Sequence, residues 1–116
     1  MDDCIFCMIG RGDMDARVVY SDDLVVAFDD ITPQAPVHTL VIPRKHYSDM
    51  GDDVPPEVAE ALFAAITKVA AIKGVDRTGY RVIINNGRDA SQTVQHLHVH
   101  VMGGAPFSHG MVRFDT

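Results

Sequence analysis

The segment His96-Leu97-His98-Val99-His100 holds the residues of this chain best placed to do chemistry. An imidazole titrates near neutrality and serves as nucleophile, acid, base or metal ligand. Side chains alternate faces along a strand. His96, His98 and His100 are therefore expected on one face, open to a ligand, and Leu97, Val99 and Val101 on the other, packed on a helix. From the residues alone three readings stand: a half-exposed strand with polar residues, a chelating metal site, and a catalytic cluster. The chain has only six histidines, so three in one strand by accident would be odd.

A second constellation is Cys4-Ile5-Phe6-Cys7, with the spacing of metal ligands. Two cysteines alone do not make a site, and small buried residues are the plainer reading. A redox pair of this spacing normally follows a strand in a βαβ unit, a context missing here.

The elements that must position these groups are legible from pattern. Residues 4–11 read as a short helix with Ile5, Phe6 and Ile9 on one side, stopped by Gly10 and Gly12. Val18 to Tyr20, Leu24 to Phe28 and Val37 to Ile42 read as strands, the last closed by Pro43. The segment Thr32-Pro33-Gln34-Ala35-Pro36 cannot hold a ladder, because two prolines remove donors. A polar connection, residues 44–54, leads to the main helix. Pro55 or Pro56 stands in its first turn, Leu62, Phe63, Ile66, Val69 and Ala70 form its apolar stripe, and Gly74 stops it. Tyr80 to Ile84 is a fourth strand, residues 85–91 a polar loop, and Gln95 to Met102 a fifth strand. Hairpin spacing around one long helix predicts an α+β fold with an antiparallel sheet.

Composition sets the class. The 116 residues fit a single domain, 1–116, 47% hydrophobic and 22% charged. A net charge of −6 argues against a nucleic-acid partner. A small nucleotide remains compatible, since backbone amides and a few donors hold a phosphate. No apolar run is long enough for a membrane span, and Met1-Asp2-Asp3 does not open a secretory signal. The expectation is a cytoplasmic protein with reduced thiols.

The segment HLHVHVM, residues 96–102, resembles the motif of the histidine-triad superfamily: His, apolar, His, apolar, His, apolar, apolar. FDDITPQAPVHTLVIPRKH, residues 28–46, and IINNGRDASQTVQ, residues 83–95, are similar to its Hint branch. The likeness runs from about Cys4 to Gly104. It implies a five-stranded antiparallel sheet with one long and one short helix, extended across a homodimer.

The resemblance also implies roles. His98 is the implied nucleophile, forming a nucleotidyl-histidine intermediate that water hydrolyses. His100 would contact the phosphate, and His38 would hydrogen-bond within the cluster. Asp30 would accept from the ribose hydroxyls. Ile31, with Ile5, Phe6, Ile9 and Phe28, would form the slot for a purine base. Asn85 would stand beside the phosphate, and Ser91, Gln92 and Thr93 match the loop leading into the triad. Thr93 would offer a hydroxyl to the phosphate or leaving nitrogen. Ser91 departs from the family's usual glycine, which bears on how closely the loop backbone approaches phosphate. The tail, Ala105 to Thr116, departs too, so leaving-group preference does not transfer.

His46 and His96 would complete a Cys₂His₂ set with Cys4 and Cys7, as in many bacterial histidine-triad proteins. The implied ion is Zn²⁺ in a structural role, since a closed four-ligand site keeps no position for substrate. The implied activity is hydrolysis of purine nucleoside phosphoramidates or acyl-adenylates. Two alternatives are a dinucleoside polyphosphate hydrolase or nucleotidyltransferase of the same superfamily, and a non-catalytic nucleotide- or metal-binding module. His100 favours the first reading, since the alternative enzyme branches commonly carry glutamine there.

Overall fold

Alternation decides the sheet. Val25 and Ala27 face one way while Val26 and Phe28 face the other, and Val41 opposes Leu40 and Ile42 in the same manner. All are buried, so the central strands are covered on both faces. The computed structural model describes residues 4–107. Two segments singled out in the sequence, the opening triplet 1–3 and the tail end 108–116, lie outside the described residues.

The order is α1 (Ile5–Arg11), β1 (Val18–Ser21), β2 (Val25–Asp29), β3 (Val37–Pro43), α2 (Pro56–Ile72), β4 (Tyr80–Ile83), a 3₁₀ turn (Arg88–Ala90) and β5 (Val99–Gly103). The strands form one antiparallel sheet, ordered β1-β2-β3-β5-β4. Register sets Phe28 opposite Leu40 and Leu40 opposite His100. The expected α+β class and five-stranded antiparallel sheet with two helices are found.

Helix α2 covers one face. Its buried residues, Val58, Leu62, Ala65, Ile66, Val69 and Ala70, recur at three and four. All but Ala70 share a core with Val25, Ala27, Val41, Leu97, Val99 and Val101. Pro55 precedes the helix and Pro56 opens it. The helix closes with paired bonds, Gly74 N–H to Ala71 O and Val75 N–H to Ala70 O. Phe63 corrects the expected stripe: it is 75% exposed. It stands 100° around the helix from Leu62, and the buried arc ends there.

Helix α1 covers the other face at one end. Phe6 packs with Val26, Phe28, Leu40 and Ile42. Gly10 does not stop this helix but lies within it, because Arg44 passes so close that a Cβ would stand 3.3 Å from its Cα. Gly12, at φ 80°, is the stop.

The fifth strand corrects a second expectation. It begins at Val99, not Gln95, and residues 94–98 are irregular. The backbone leaves the ladder to serve other contacts: Leu97 N–H donates to Tyr47 O at 2.7 Å.

Candidate active site

The face division of the triad survives the irregular backbone. Leu97, Val99 and Val101 enter the α2 core, whereas Phe6 of α1 meets the rings of His96 and His98 at 5.9 and 5.2 Å. The three histidines nonetheless part company. His98 and His100 line a cleft, while His96 is wholly buried among the cysteines. The expectation of one open histidine face is corrected accordingly: a strand pleat fixes the side a residue takes, not its depth.

Each ring's protonation follows from its neighbours, since a main-chain carbonyl only accepts and a main-chain N–H only donates. His98 Nδ1 donates to the carbonyl of His96 at 2.7 Å. A neutral His98 therefore carries its lone pair on Nε2. Gln34 N–H donates to His38 Nδ1 at 3.1 Å, so His38 carries its proton on Nε2. That Nε2–H donates to His100 Nδ1 at 2.9 Å. His100 is left with its own proton on Nε2. The cluster thus pairs one imidazole acceptor with one imidazole donor.

Electrostatics keep the donor neutral. Burial, then His98 and His38, push the His100 pKa down to about 4, against a weaker opposing pull from Asp30. Burial also lowers His38, with Asp30 opposing; its Oδ2 lies 3.4 Å from His38 Nε2. The other Asp30 oxygen accepts from the Thr32 amide at 3.0 Å and hydroxyl at 3.2 Å.

The cleft measures about 280 Å³. It gathers nine of the expected site residues: Ile5, Phe6, Ile9, Phe28, Asp30, Ile31, Thr93, His98 and His100. Ile31 is 94% exposed at its rim, an apolar side chain with no core to fill. That answers whether it is simply core. His38 stands behind His100, outside the lining.

Three further expected residues do not line the cleft: Asn85, Ser91 and Gln92. Gln92 is buried and its amide is spent on the loop. Its Oε1 accepts from Gly87 N–H at 2.8 Å, and its Nε2 donates to the carbonyls of Ser48 and Val94 at 2.8 and 3.0 Å. Ser91 is exposed and sits at φ 61°, a left-handed conformation that suits glycine best. Leu40 and Val94 line the cleft without having been expected. Leu40 was within reach of sequence, because its pairing with Phe28 puts both on one face. Val94 lies in the irregular segment, where no period operates.

Cys4, Cys7, His46 and His96 form a group that could hold a metal ion, their ligand atoms all within 4.8 Å of one another. Sulfur–nitrogen separations are 3.5 Å for Cys4–His96, 3.2 Å for Cys7–His46 and 3.5 Å for Cys7–His96. The sulfur–nitrogen edge of tetrahedral zinc is about 3.5 Å. His96 Nε2 donates to Pro43 O at 2.9 Å, which leaves Nδ1 free as a ligand atom. The donor set and spacing fit a tetrahedral ion.

The family profile described as HIT domain matches residues 11–107. The chain belongs to the HIT domain family. It is 44% identical over 109 residues to an uncharacterized HIT-like protein of Synechocystis, spanning 92% of this chain and 95% of the relative. To a purine nucleoside phosphoramidase of Escherichia coli it is 43% identical over 108 residues, 90% of each chain. A histidine triad protein structure from Clostridium difficile superposes with a TM-score of 0.88 at 43% identity, covering 94% of this chain and 96% of that one.

Proposed function

We propose that this protein hydrolyses the P–N bond of purine nucleoside phosphoramidates, or the mixed anhydride of acyl-adenylates, through a nucleotidyl-histidine intermediate on His98. The observation that carries the reading is the 2.7 Å bond from His98 Nδ1 to the His96 carbonyl, which reserves the Nε2 lone pair for attack.

In this reading Ile5, Phe6, Ile9, Phe28 and Ile31 hold the base, and Asp30 accepts from the ribose. His98 Nε2 bonds to the α-phosphorus, and the P–N bond breaks with its electron pair leaving on nitrogen. Thr93 hydrogen-bonds through its hydroxyl to the departing nitrogen or the phosphate, and the nitrogen takes a proton from solvent and leaves as the amine. With an acyl-adenylate the P–O bond breaks instead and the carboxylate leaves. His100, neutral at pH 7, donates Nε2–H to a phosphoryl oxygen. Water then attacks the phosphorus and loses a proton to solvent, the P–Nε2 bond breaks with its electron pair returning to His98, and the nucleoside monophosphate is released beside a neutral His98. Asn85, Ser91 and Gln92 belong to the loop that presents Thr93.

The proposed ion at Cys4, Cys7, His46 and His96 is Zn²⁺, which would tie α1 to the sheet and take no part in the reaction. The proposed assembly is a homodimer. Supporting it, β4 is an edge strand carrying exposed Val82, and Phe63, Met50 and Ile84 surround an apolar hollow beside it. No helix among the described residues is long and apolar enough to cross a membrane. A cytoplasmic location, one domain over 1–116 and the lack of a nucleic-acid partner are part of the same proposal.

The deciding experiment compares turnover of adenosine phosphoramidate with that of a diadenosine polyphosphate. Faster P–N cleavage, with trapping of adenylylated His98 by rapid alkaline quench, is the expected result. Preference for the polyphosphate would favour the other superfamily branches.

A further inference from the structure

One short helix and one histidine each serve two sites. Cys4 and Cys7 bracket the first turn of α1 and face the metal-binding cluster, while Ile5, Phe6 and Ile9 of the same helix line the cleft. His96 turns Nδ1 to the cysteines and gives its carbonyl to His98 Nδ1. The Phe6 ring bridges the two, edge-on to both His96 and His98.

Helix α1 depends on external ties. Seven residues are too few for a helix to persist alone, and its N-cap, Cys4, makes no capping side-chain bond. Its far end is held by Arg44, which donates to Gly10 O at 2.6 Å. Its near end is tied by the sulfur–imidazole contacts of 3.2 to 3.5 Å. A bound ion would replace those weak contacts with four ligand bonds, fixing the turn that carries Ile5 and Phe6. A groove of about 450 Å³ runs past Cys4 and His46 and shares Ile5, Thr93 and Val94 with the cleft, so the two sites adjoin at the surface as well.

We infer that metal binding at Cys4, Cys7, His46 and His96 and nucleotide binding in the cleft are coupled. The loaded cluster holds the first turn of α1 and the His96 carbonyl where the base and His98 need them. Such coupling is reciprocal: nucleotide must tighten the metal by the factor by which metal tightens nucleotide. The inference rests on the proposed reading of the cleft as a nucleotide site.

The test uses the full chain, zinc-loaded and chelator-stripped. AMP affinity is measured by calorimetry, zinc affinity by competition with a chromophoric chelator with and without AMP, and the His98 tautomer by ring-nitrogen chemical shifts. The expected result is roughly tenfold tighter AMP binding to the loaded form and an equal gain in zinc affinity with AMP. His98 should be a single Nδ1–H tautomer when loaded and a mixture when stripped. Equal AMP affinity and an unchanged tautomer, in stripped protein that still melts cooperatively, would overturn the coupling. Should the stripped chain unfold, Cys4→Ser takes its place, with AMP affinity measured at zinc concentrations below and above the variant's own weakened zinc affinity. AMP affinity that is the same at both concentrations overturns the coupling equally, and a rise with zinc supports it. Absence of AMP binding in either form would instead overturn the reading of the cleft.

Discussion

His38 Nε2 lies 2.9 Å from His100 Nδ1, and the Gln34 amide behind His38 fixes the direction of that bond. The pair is a neutral relay whose last proton sits on His100 Nε2. Protonating His100 on Nδ1 would set two N–H groups against each other in a partly buried place.

Acid should therefore act on stability through this pair. The folded pKa of His100 is about 4, below its ordinary 6.5. The folded state binds the proton less readily than the unfolded chain, so this contribution is complete above pH 6.5 and is lost as pH falls toward 4. The loss amounts to about 3 kcal/mol at most. His38 and His96, both lowered chiefly by burial, act in the same direction. Urea unfolding across this range should give a flatter profile for His100→Asn. Parallel profiles for the two proteins would refute the assignment.

His98→Ala should abolish phosphoramidate turnover, by more than about 10⁴-fold, because no other group supplies the attacking lone pair. AMP affinity should change little, since the base and ribose contacts are elsewhere in the cleft. Calorimetry beside a turnover assay checks both. Residual turnover near the parent rate would dismiss His98 as nucleophile.

Gln92→Ala should cost about 1–3 kcal/mol, since it strips the half-buried Gly87 amide of its partner and removes two donated bonds. Turnover should fall as well, because the same loop carries Thr93 into the cleft. Denaturant melts and steady-state kinetics read the two effects. A variant as stable as the parent would show that water replaces the amide without penalty.

Phe63→Glu should leave the fold intact, since the side chain is 75% exposed, and should shift the chain toward monomer. Analytical ultracentrifugation over a concentration series decides this. A parent chain that is monomeric at every concentration would end the proposal of self-association.

Most of the fold was legible because its periods are strong. The 3.6-residue repeat of α2 and the alternation of β2 and β3 follow from burial on defined faces. The sequence also separated Leu97, Val99 and Val101 from the three histidines, since that division needs only the two-residue alternation of an extended chain. Nine of the twelve expected nucleotide-site residues gather in the cleft, carried there by motif spacing. What one-dimensional pattern does not carry is depth and partnership. Phe63 lies one step past the buried arc, Gly10 answers to Arg44 rather than to its own helix, and Gln92 spends its amide on three loop groups. His96 and His98 are two residues apart, yet one turns to Cys4 and Cys7 and the other into the cleft. Only tertiary structure decided that, because hydrogen-bond direction depends on which fixed donor or acceptor each ring meets, and those groups come from distant parts of the chain.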